Sequence, residues 1–295
     1  MISVAIIMST YNGEKYIINQ INSILKQKKI LLKIFIRDDG STDNTLNILK
    51  NIKDSRLKFY QGENIGPCKS FLELVSNIEG EFDYYAFADQ DDIWDEYKII
   101  TAIDAIKQRN DLPCLYYSAL NFCDENMNFK YKNINKLCIN FKFSLIRSLF
   151  PGCTMVFNNK AMNLVKKHKF TSQVMHDQLL FQIVCGVGGY IYYDKNSHIN
   201  YRIHSTNVSN YENPLKKINK LIKDVNDCSN KRLKALQELY CNYKDIFLPE
   251  NAQILLSIIS YQEKNLIDKI RLISGYNDYL KYKFKYLLSI LINRF

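Results

Sequence analysis

From Ser3 to Ala88 the chain alternates short apolar runs with amphipathic stretches, and that alternation leaves few folds open. Ser3–Met8 (SVAIIM) is apolar almost throughout, as a strand covered on both faces is. Glu14–Gln27 sets Tyr16, Ile17, Ile21, Ile24 and Leu25 at helical spacing. Leu32–Ile36, Leu57–Tyr60 and Tyr84–Ala88 read as further strands, with helices over Thr45–Ile52 and Lys69–Asn77 between them. Strands separated by helices predict an α/β fold with a Rossmann-like, mostly parallel sheet flanked by helices. Such sheets bind ligands beyond the carboxyl ends of their strands.

Polar clusters stand at those ends. Ser9-Thr10-Tyr11-Asn12-Gly13 follows the first strand, Asp38-Asp39-Gly40-Ser41 the second, and Asp89-Gln90-Asp91-Asp92 the fourth. Polar loops at equivalent strand ends point to one ligand cleft. Asp89 and Asp91, one residue apart after an apolar strand, offer the hard oxygen ligands that Mg²⁺ or Mn²⁺ takes, with water and substrate phosphate completing the set. A cation there would neutralise a leaving diphosphate. A carboxylate of the Asp38–Asp39 pair can accept from a pyrimidine ring N–H or a ribose hydroxyl. Asp43 is a cap for the helix that begins near Thr45. Tyr11 can stack on a nucleobase and Thr10 can bond to it, while Lys69, after Asn64-Ile65-Gly66, is a candidate diphosphate contact.

The alternation continues less regularly, with strands at Leu115–Ala119, Thr154–Phe157 and Tyr190–Tyr193 and a helix at Gln178–Val184. Asp177 stands just before that helix, where a carboxylate is either a cap or a general base aimed into the cleft. Downstream, Arg202 is a candidate phosphate contact and His204 a candidate third metal ligand, with a structural histidine as the alternative. After about Asn210 glycine nearly vanishes and lysine rises. Helical patterns cover Leu215–Tyr243, Ala252–Lys264 and Tyr276–Asn293. The expected division is an α/β domain carrying the ligand cleft over residues 1–210 and a basic helical C-terminal extension over 211–295. Near the end, Lys281, Lys283, Lys285 and Arg294 flank apolar Leu287–Ile292. That stretch reads either as an interfacial helix on anionic lipid or as a helix packed on the catalytic domain.

Charge and cysteine usage narrow the classes. A formal net charge of +10 suggests an anionic partner. The 8 cysteines form no CxxC pair, which excludes a zinc ribbon and fits free thiols in a reducing cytoplasm. The apolar start, Met1–Met8, lacks a basic flank and a small-residue cleavage site, so it reads as a buried strand and not a signal peptide. No apolar run reaches the roughly 18 residues a spanning helix needs.

Together these motifs resemble family 2 glycosyltransferases, over roughly residues 2–210. STYNG, RDDGSTDNT and FADQDDIW stand at that family's order and spacing. GCTMVFN (Gly152–Asn158), MHDQLL (Met175–Leu180) and YRIHSTN (Tyr201–Asn207) are similar to the rhamnosyltransferase-like branch that builds bacterial surface polysaccharides. The resemblance implies the glycosyltransferase A fold and an inverting transfer, without a covalent enzyme intermediate, from a nucleotide-diphosphate sugar to a saccharide hydroxyl. It implies that Tyr11 and Asp39 hold the base with Thr10 and Asp38 beside them, and that Asp89 and Asp91 form the DxD motif, Asp91 being the direct metal ligand. It further implies that His204 supports the diphosphate or metal and that Asp177 is the base. Where many relatives carry an acidic or aromatic neighbour, His176 precedes Asp177 and Gln178-Leu179 follow it, a departure that bears on the acceptor. The enzyme is expected in the cytoplasm, at the inner face of the cytoplasmic membrane if the acceptor is lipid-linked.

Two other classes compete. A nucleotidyltransferase also pairs carboxylates with a metal, but Ser9–Tyr16 lacks the glycine-rich phosphate loop such enzymes begin with. A non-catalytic nucleic-acid-binding protein fits the charge. The acidic strand ends would repel phosphate, so no nucleic-acid partner is expected. A non-catalytic sugar-binding protein would not need Asp89, Asp91 and Asp177 intact.

Overall fold

The computed structural model describes residues 1–134, 140–145, 151–172, 174–204, 229–265 and 267–268. The strands are β1 (Ser3–Thr10), β2 (Leu31–Asp38), β3 (Leu57–Gln61), β4 (Tyr84–Ala88), β5 (Ile93–Trp94), β6 (Cys114–Cys123), β7 (Phe129–Asn133), β8 (Val156–Asn158) and β9 (Tyr190–Arg202). The described α-helices are α1 (Ile17–Leu25), α2 (Thr45–Asn51), α3 (Pro67–Asn77), α4 (Lys98–Ile106), α5 (Phe141–Ser144), α6 (Asn159–Lys166), α7 (His176–Gly186), α8 (Ser229–Tyr243) and α9 (Pro249–Ile259).

One sheet organises them in the order β3-β2-β1-β4-β8-β6-β9-β5, with β7 added to the end of β6. β1 pairs in parallel with β2 and β4, β2 with β3, and β6 with β9. β8 runs against both β4 and β6. That reversal lets β4, β6 and β9 point the same way, so their carboxyl ends share one edge. It also brings the turn before β8, Gly152–Thr154, to that edge.

Local chemistry explains several boundaries. Asp43 Oδ1 accepts from Thr45 N at 3.0 Å, holding the start of α2 as expected. Gly66, with φ +82°, turns the chain into α3, whose first residue is Pro67. Asn158 ends β8 and caps α6, its Oδ1 accepting from Ala161 N at 3.1 Å. Other features depart from the sequence pattern. β9 runs to Arg202 through a bulge opposite Ser118–Asn121, and Thr154 belongs to a 3₁₀ turn before β8. α4, which the pattern did not single out, buries Ile99, Ala102, Ile103 and Ile106 along one face.

Apolar side chains pack on both faces of the sheet. Val4, Ile6 and Met8 meet Ile21, Ile24 and Ile103 of α1 and α4 on one side. On the other, Ile7, Phe87 and Phe157 join Phe71 of α3, Met162 of α6 and Leu180 of α7. Each such side chain, fully buried, is worth about 1.5–3 kcal/mol. The same second core takes in Leu236, Leu239 and Tyr243 of α8 and Leu255 and Ile258 of α9. The described helices beyond residue 228 therefore join the core on that side of the sheet. The expected boundary near 211 and the basic stretch from Lys281 to Arg294 lie outside the described residues. No helix among the described residues is long and apolar enough to cross a membrane. Among the described residues the cysteines Cys68, Cys114, Cys123, Cys153, Cys185 and Cys241 are free.

Candidate active site

The loops after β1 and β4 are joined by one side chain. Thr10 is buried, and its Oγ1 donates to Gln90 Oε1 at 2.5 Å. Tyr11 N donates to the same Oε1 at 2.9 Å, and Gln90 Nε2 donates to Tyr11 O at 3.1 Å. This bracket leaves Tyr11 45% exposed at the sheet edge, where its face is open for stacking.

Asp38 and Asp39, by contrast, are turned into the protein. Asp38 closes its own turn, accepting from Ser41 N at 2.9 Å and Ser41 Oγ at 2.5 Å. Gly40 makes that turn at φ +78°, where a Cβ would lie 3.0 Å from Asn64 N. Asp39 accepts from Ile65 N at 3.0 Å, Gly66 N at 2.9 Å and the buried Arg37 guanidinium. Arg37 also pairs with Glu73 at 3.1 Å and donates to Glu63 O at 3.0 Å. Asp39 thus fixes the loop before α3, and a nucleotide contact would use the lone pairs that remain. Lys69 stands exposed on the first turn of α3.

The acidic loop after β4 gathers charge. Asp91 Oδ2 lies 2.7 Å from His204 Nε2, and the His204 ring packs against Tyr16 at 5.1 Å between centroids. Arg202 lies over the same Tyr16 ring at 4.4 Å. Its Nε donates to Asp91 O at 2.8 Å, its Nη1 donates to Glu125 O, and its backbone N–H donates to Asp92 Oδ1 at 3.2 Å. Arg202 therefore ties β9 to the acidic loop. Asp92 Oδ2 is buried with no hydrogen-bond partner among the described residues. Ligand atoms of Asp89, Asp92 and Cys153 all lie within 4.8 Å of one another. Burial, reinforced by Asp91 and Asp177, raises Asp89 to about 7. Burial with Asp91 and Asp89 nearby pushes Asp92 well above the usual range, and the Cys153 thiol is raised by burial and by Asp92 and Asp89. Beneath the loop, Lys98 Nζ sits 3.8 Å from the Trp94 ring centroid, and burial lowers it to about 7 against Cys153 and Asp92.

Asp177 opens α7 on the other wall. It is buried, its Oδ1 accepts from Gln178 N at 2.6 Å, and burial raises it to about 6 against bonds from the Gln178 and Gly152 amides. His176 stacks on Phe71 at 3.8 Å and meets Phe87 edge-on at 4.4 Å. Burial lowers it to about 3, so it packs as a neutral ring. Gly152 permits this approach: a Cβ there would stand 2.7 Å from His176 Nε2 and 3.3 Å from Asp177 Cβ.

The fold thus brings Asp89, Asp91, Arg202, His204 and Asp177 to one edge, with Thr10 and Tyr11 bracketed to it. Crowded carboxylates, one with an orphaned buried oxygen, are short of positive charge, and that donor set fits a divalent cation. Four further residues join the site. Gln90 and Asp92 lie inside the acidic loop already noted, and Cys153 lies in GCTMVFN. Lys98 carried no such signal, since Trp94 ends β5 and Lys98 opens α4, and their contact depends on how the chain turns between the two.

The family described as Glycosyl transferase family 2 matches residues 5–169. The dTDP-rhamnosyl transferase RfbG of Shigella flexneri is 33% identical over 223 residues, 68% of this chain and 72% of that protein. A glycosyltransferase of Rickettsia typhi without an assigned activity is 27% identical over 70% of this chain and 66% of its own length. Among solved structures, S. aureus TarS 1–349 in complex with UDP has a TM-score of 0.58 at 16% identity, covering 95% of this chain and 80% of that one. At that identity the likeness is one of fold, a glycosyltransferase A fold.

Proposed function

The chain belongs to glycosyl transferase family 2 and is a glycosyltransferase. From that premise we propose that it moves a sugar, rhamnose or another hexose, from a pyrimidine nucleoside diphosphate sugar to a saccharide hydroxyl in surface polysaccharide synthesis. The observation that carries this is the meeting of Asp177 with the acidic loop: its charge is among those that raise Asp89, and its own carboxyl stands at about 6. A base with that proton affinity is largely ionised at neutral pH yet stronger than an ordinary carboxylate.

Asp177 takes the proton as the acceptor oxygen forms its bond to the anomeric carbon. The bond from that carbon to the diphosphate oxygen breaks, and the nucleoside diphosphate leaves with the electron pair. One displacement inverts the anomeric centre. Tyr11 stacks on the base, with Thr10, Asp38 and Asp39 shaping the loop around it, and Lys69 and Arg202 add positive charge near the diphosphate. Asp89 and Asp91, with His204, would hold Mg²⁺ or Mn²⁺. When bound, that ion supplies the charge that stabilises the leaving diphosphate. The name of the Shigella relative supports a dTDP-rhamnose donor, and the UDP of the TarS complex a pyrimidine base. The basic C-terminal stretch would rest on an anionic membrane surface at the cytoplasmic face, beside a lipid-linked acceptor.

The test is a transfer assay with dTDP-rhamnose and UDP-sugars, with Mn²⁺, over a panel of saccharide acceptors. The reading expects acceptor-dependent release of nucleoside diphosphate and a product of inverted anomeric configuration. A retained configuration would overturn the single displacement, and release of pyrophosphate instead would favour a nucleotidyltransferase.

A further inference from the structure

The helix that carries Asp177 is gripped at both ends by the two C-terminal helices, which the proposed reaction does not use. α7 begins at His176, and Thr171 and Ser172 stand shortly before it. Glu238 of α8 reaches that approach. Its Oε1 accepts from Thr171 N at 2.7 Å and Thr171 Oγ1 at 3.1 Å, and its Oε2 accepts from Ser172 N at 2.8 Å. Partial burial works against the Glu238 carboxylate, yet these bonds hold it below its ordinary range. At the other end, the last carbonyls of a helix have no partners within it. Asn251 of α9 is buried there, and its Nδ2 donates to Cys185 O and Gly186 O, each at 3.2 Å. Leu248 N donates to Gly186 O at 2.9 Å. Gly186 lets the two segments close up, because a Cβ there would stand 2.5 Å from Phe247 Cε1. Between the two grips, Tyr243 stacks on Phe170 at 6.0 Å, and its hydroxyl donates to Leu164 O of α6 at 2.7 Å.

We propose that Glu238 and Asn251 are positioning residues of the transferase: from α8 and α9 they clamp the two ends of α7 and so set where Asp177 stands against the acidic loop. The kinetic part of this rests on the transferase reading, and the mechanical part stands without it. A helix is stiff along its axis, so fixing the approach to its first turn and the carbonyls of its last fixes its height and tilt. A general base must meet its proton within hydrogen-bond reach, and a displacement of about 1 Å is enough to slow the step. The side-chain hydrogen bonds of Glu238 and Asn251 among the described residues go to the surroundings of α7. They do not go to the loops after β1, β2 and β4, where the donor is read to bind. The clamp therefore acts on the base and leaves the donor loops alone. The family match ends at residue 169, so Asp177 and both jaws of the clamp lie beyond it.

Glu238→Ala and Asn251→Ala on the full chain test this, each alone and in the Asp177→Asn background. The first readout is hydrogen exchange followed by mass spectrometry, which needs no activity. Peptides covering residues 174–186 should exchange about tenfold faster in either variant, while those of β1 and β4 keep the wild-type rate. The second readout is turnover with dTDP-rhamnose or, if that is not accepted, with the UDP-sugar that is. Each variant should lower kcat about fivefold or more and leave the donor KM within about twofold. In the Asp177→Asn background the same substitutions should change the residual turnover less than about twofold, because the base they position is already gone. If an Ala variant does not fold, Glu238→Gln or Asn251→Asp, which keep the shape of the side chain, are held to the same criteria. Unchanged exchange over residues 174–186 would show that the contacts do not hold α7. Faster exchange across the whole sheet, or a donor KM that rises with the loss of kcat, would reduce the contacts to general stability. A kcat loss that persists in full without Asp177 would show that the effect does not pass through the base. Any of these results overturns the proposal. Failure to find any sugar transfer in the wild-type chain would refute the transferase reading and leave the exchange rates to decide the clamp by themselves.

Discussion

Replacing Asp177 by Asn should make the protein more stable and nearly inactive. The native carboxyl stands at about 6 instead of 3.8, because the fold removes it from water. Each tenfold change in proton affinity is about 1.4 kcal/mol, so holding Asp177 ionised costs folding about 3 kcal/mol at most. The Asn side chain keeps an oxygen that can accept from Gln178 N, so the substitution should recover part of that cost, about 1–2 kcal/mol. For a chain of 295 residues that is a rise of about 2–3 °C in melting temperature at pH 7.5. The gain depends on pH in a fixed direction. Between 3.8 and 6 the folded state binds the proton more tightly than the unfolded chain, so this group's penalty grows as pH rises through that range and is complete above 6. At pH 5 the native carboxyl is mostly protonated, and the Asn variant should lose most of its advantage. Turnover should fall by about a hundredfold or more while donor affinity, read by nucleotide-induced thermal shift, changes little. Wild-type turnover should itself decline as pH drops below about 6, as Asp177 takes up its proton. A lower melting temperature at pH 7.5 together with near-normal turnover would return Asp177 to the role of a helix cap.

Other outcomes follow from the same geometry. Gly152→Ala places a methyl 2.7 Å from His176 Nε2 and should displace His176 and Asp177, lowering turnover about tenfold and stability by about 1–3 kcal/mol in denaturant titration. Asp91→Ala should abolish transfer, as should excess chelator on the wild type; full activity in chelator would refute the metal assignment. Because Trp94 is the only tryptophan in the chain and stands three residues from Asp91, its fluorescence should report Mn²⁺ binding by quenching that Asp91→Ala weakens. A chain ending before Tyr279 should bind anionic vesicles less tightly than the full chain at low salt, with donor hydrolysis unaffected; equal binding would make that stretch a packing element.

Much of the site's outline is written in the sequence because it is local. β1, β2 and β4 are continuous apolar runs since parallel strands are covered on both faces, and each runs straight into its polar loop. Backbone geometry then puts Thr10, Asp38 and Asp89 at one edge without any long-range information. α4 was harder to read, since Lys98 opens it and a buried lysine looks polar until its setting on Trp94 is known. Asp38 and Asp39 show the opposite difficulty. Their position was legible, but not their direction: both carboxylates turn inward because Ser41, Arg37 and the amides of Ile65 and Gly66 supply donors there.

Pairing across distance was settled only by the tertiary structure. The reversal of β8 carries Cys153 and Gly152 to the carboxyl edge, where Cys153 joins Asp89 and Asp92 and Gly152 makes room for His176 and Asp177. The sequence by itself determined which residues carry charge and which strand ends carry them. It could not determine how those charges weigh on one another, because Coulomb interactions and desolvation depend on separation in space and on the water excluded around each group. Asp89, Asp92, Lys98 and Asp177 owe their shifted proton affinities to neighbours that only the folded sheet brings within reach.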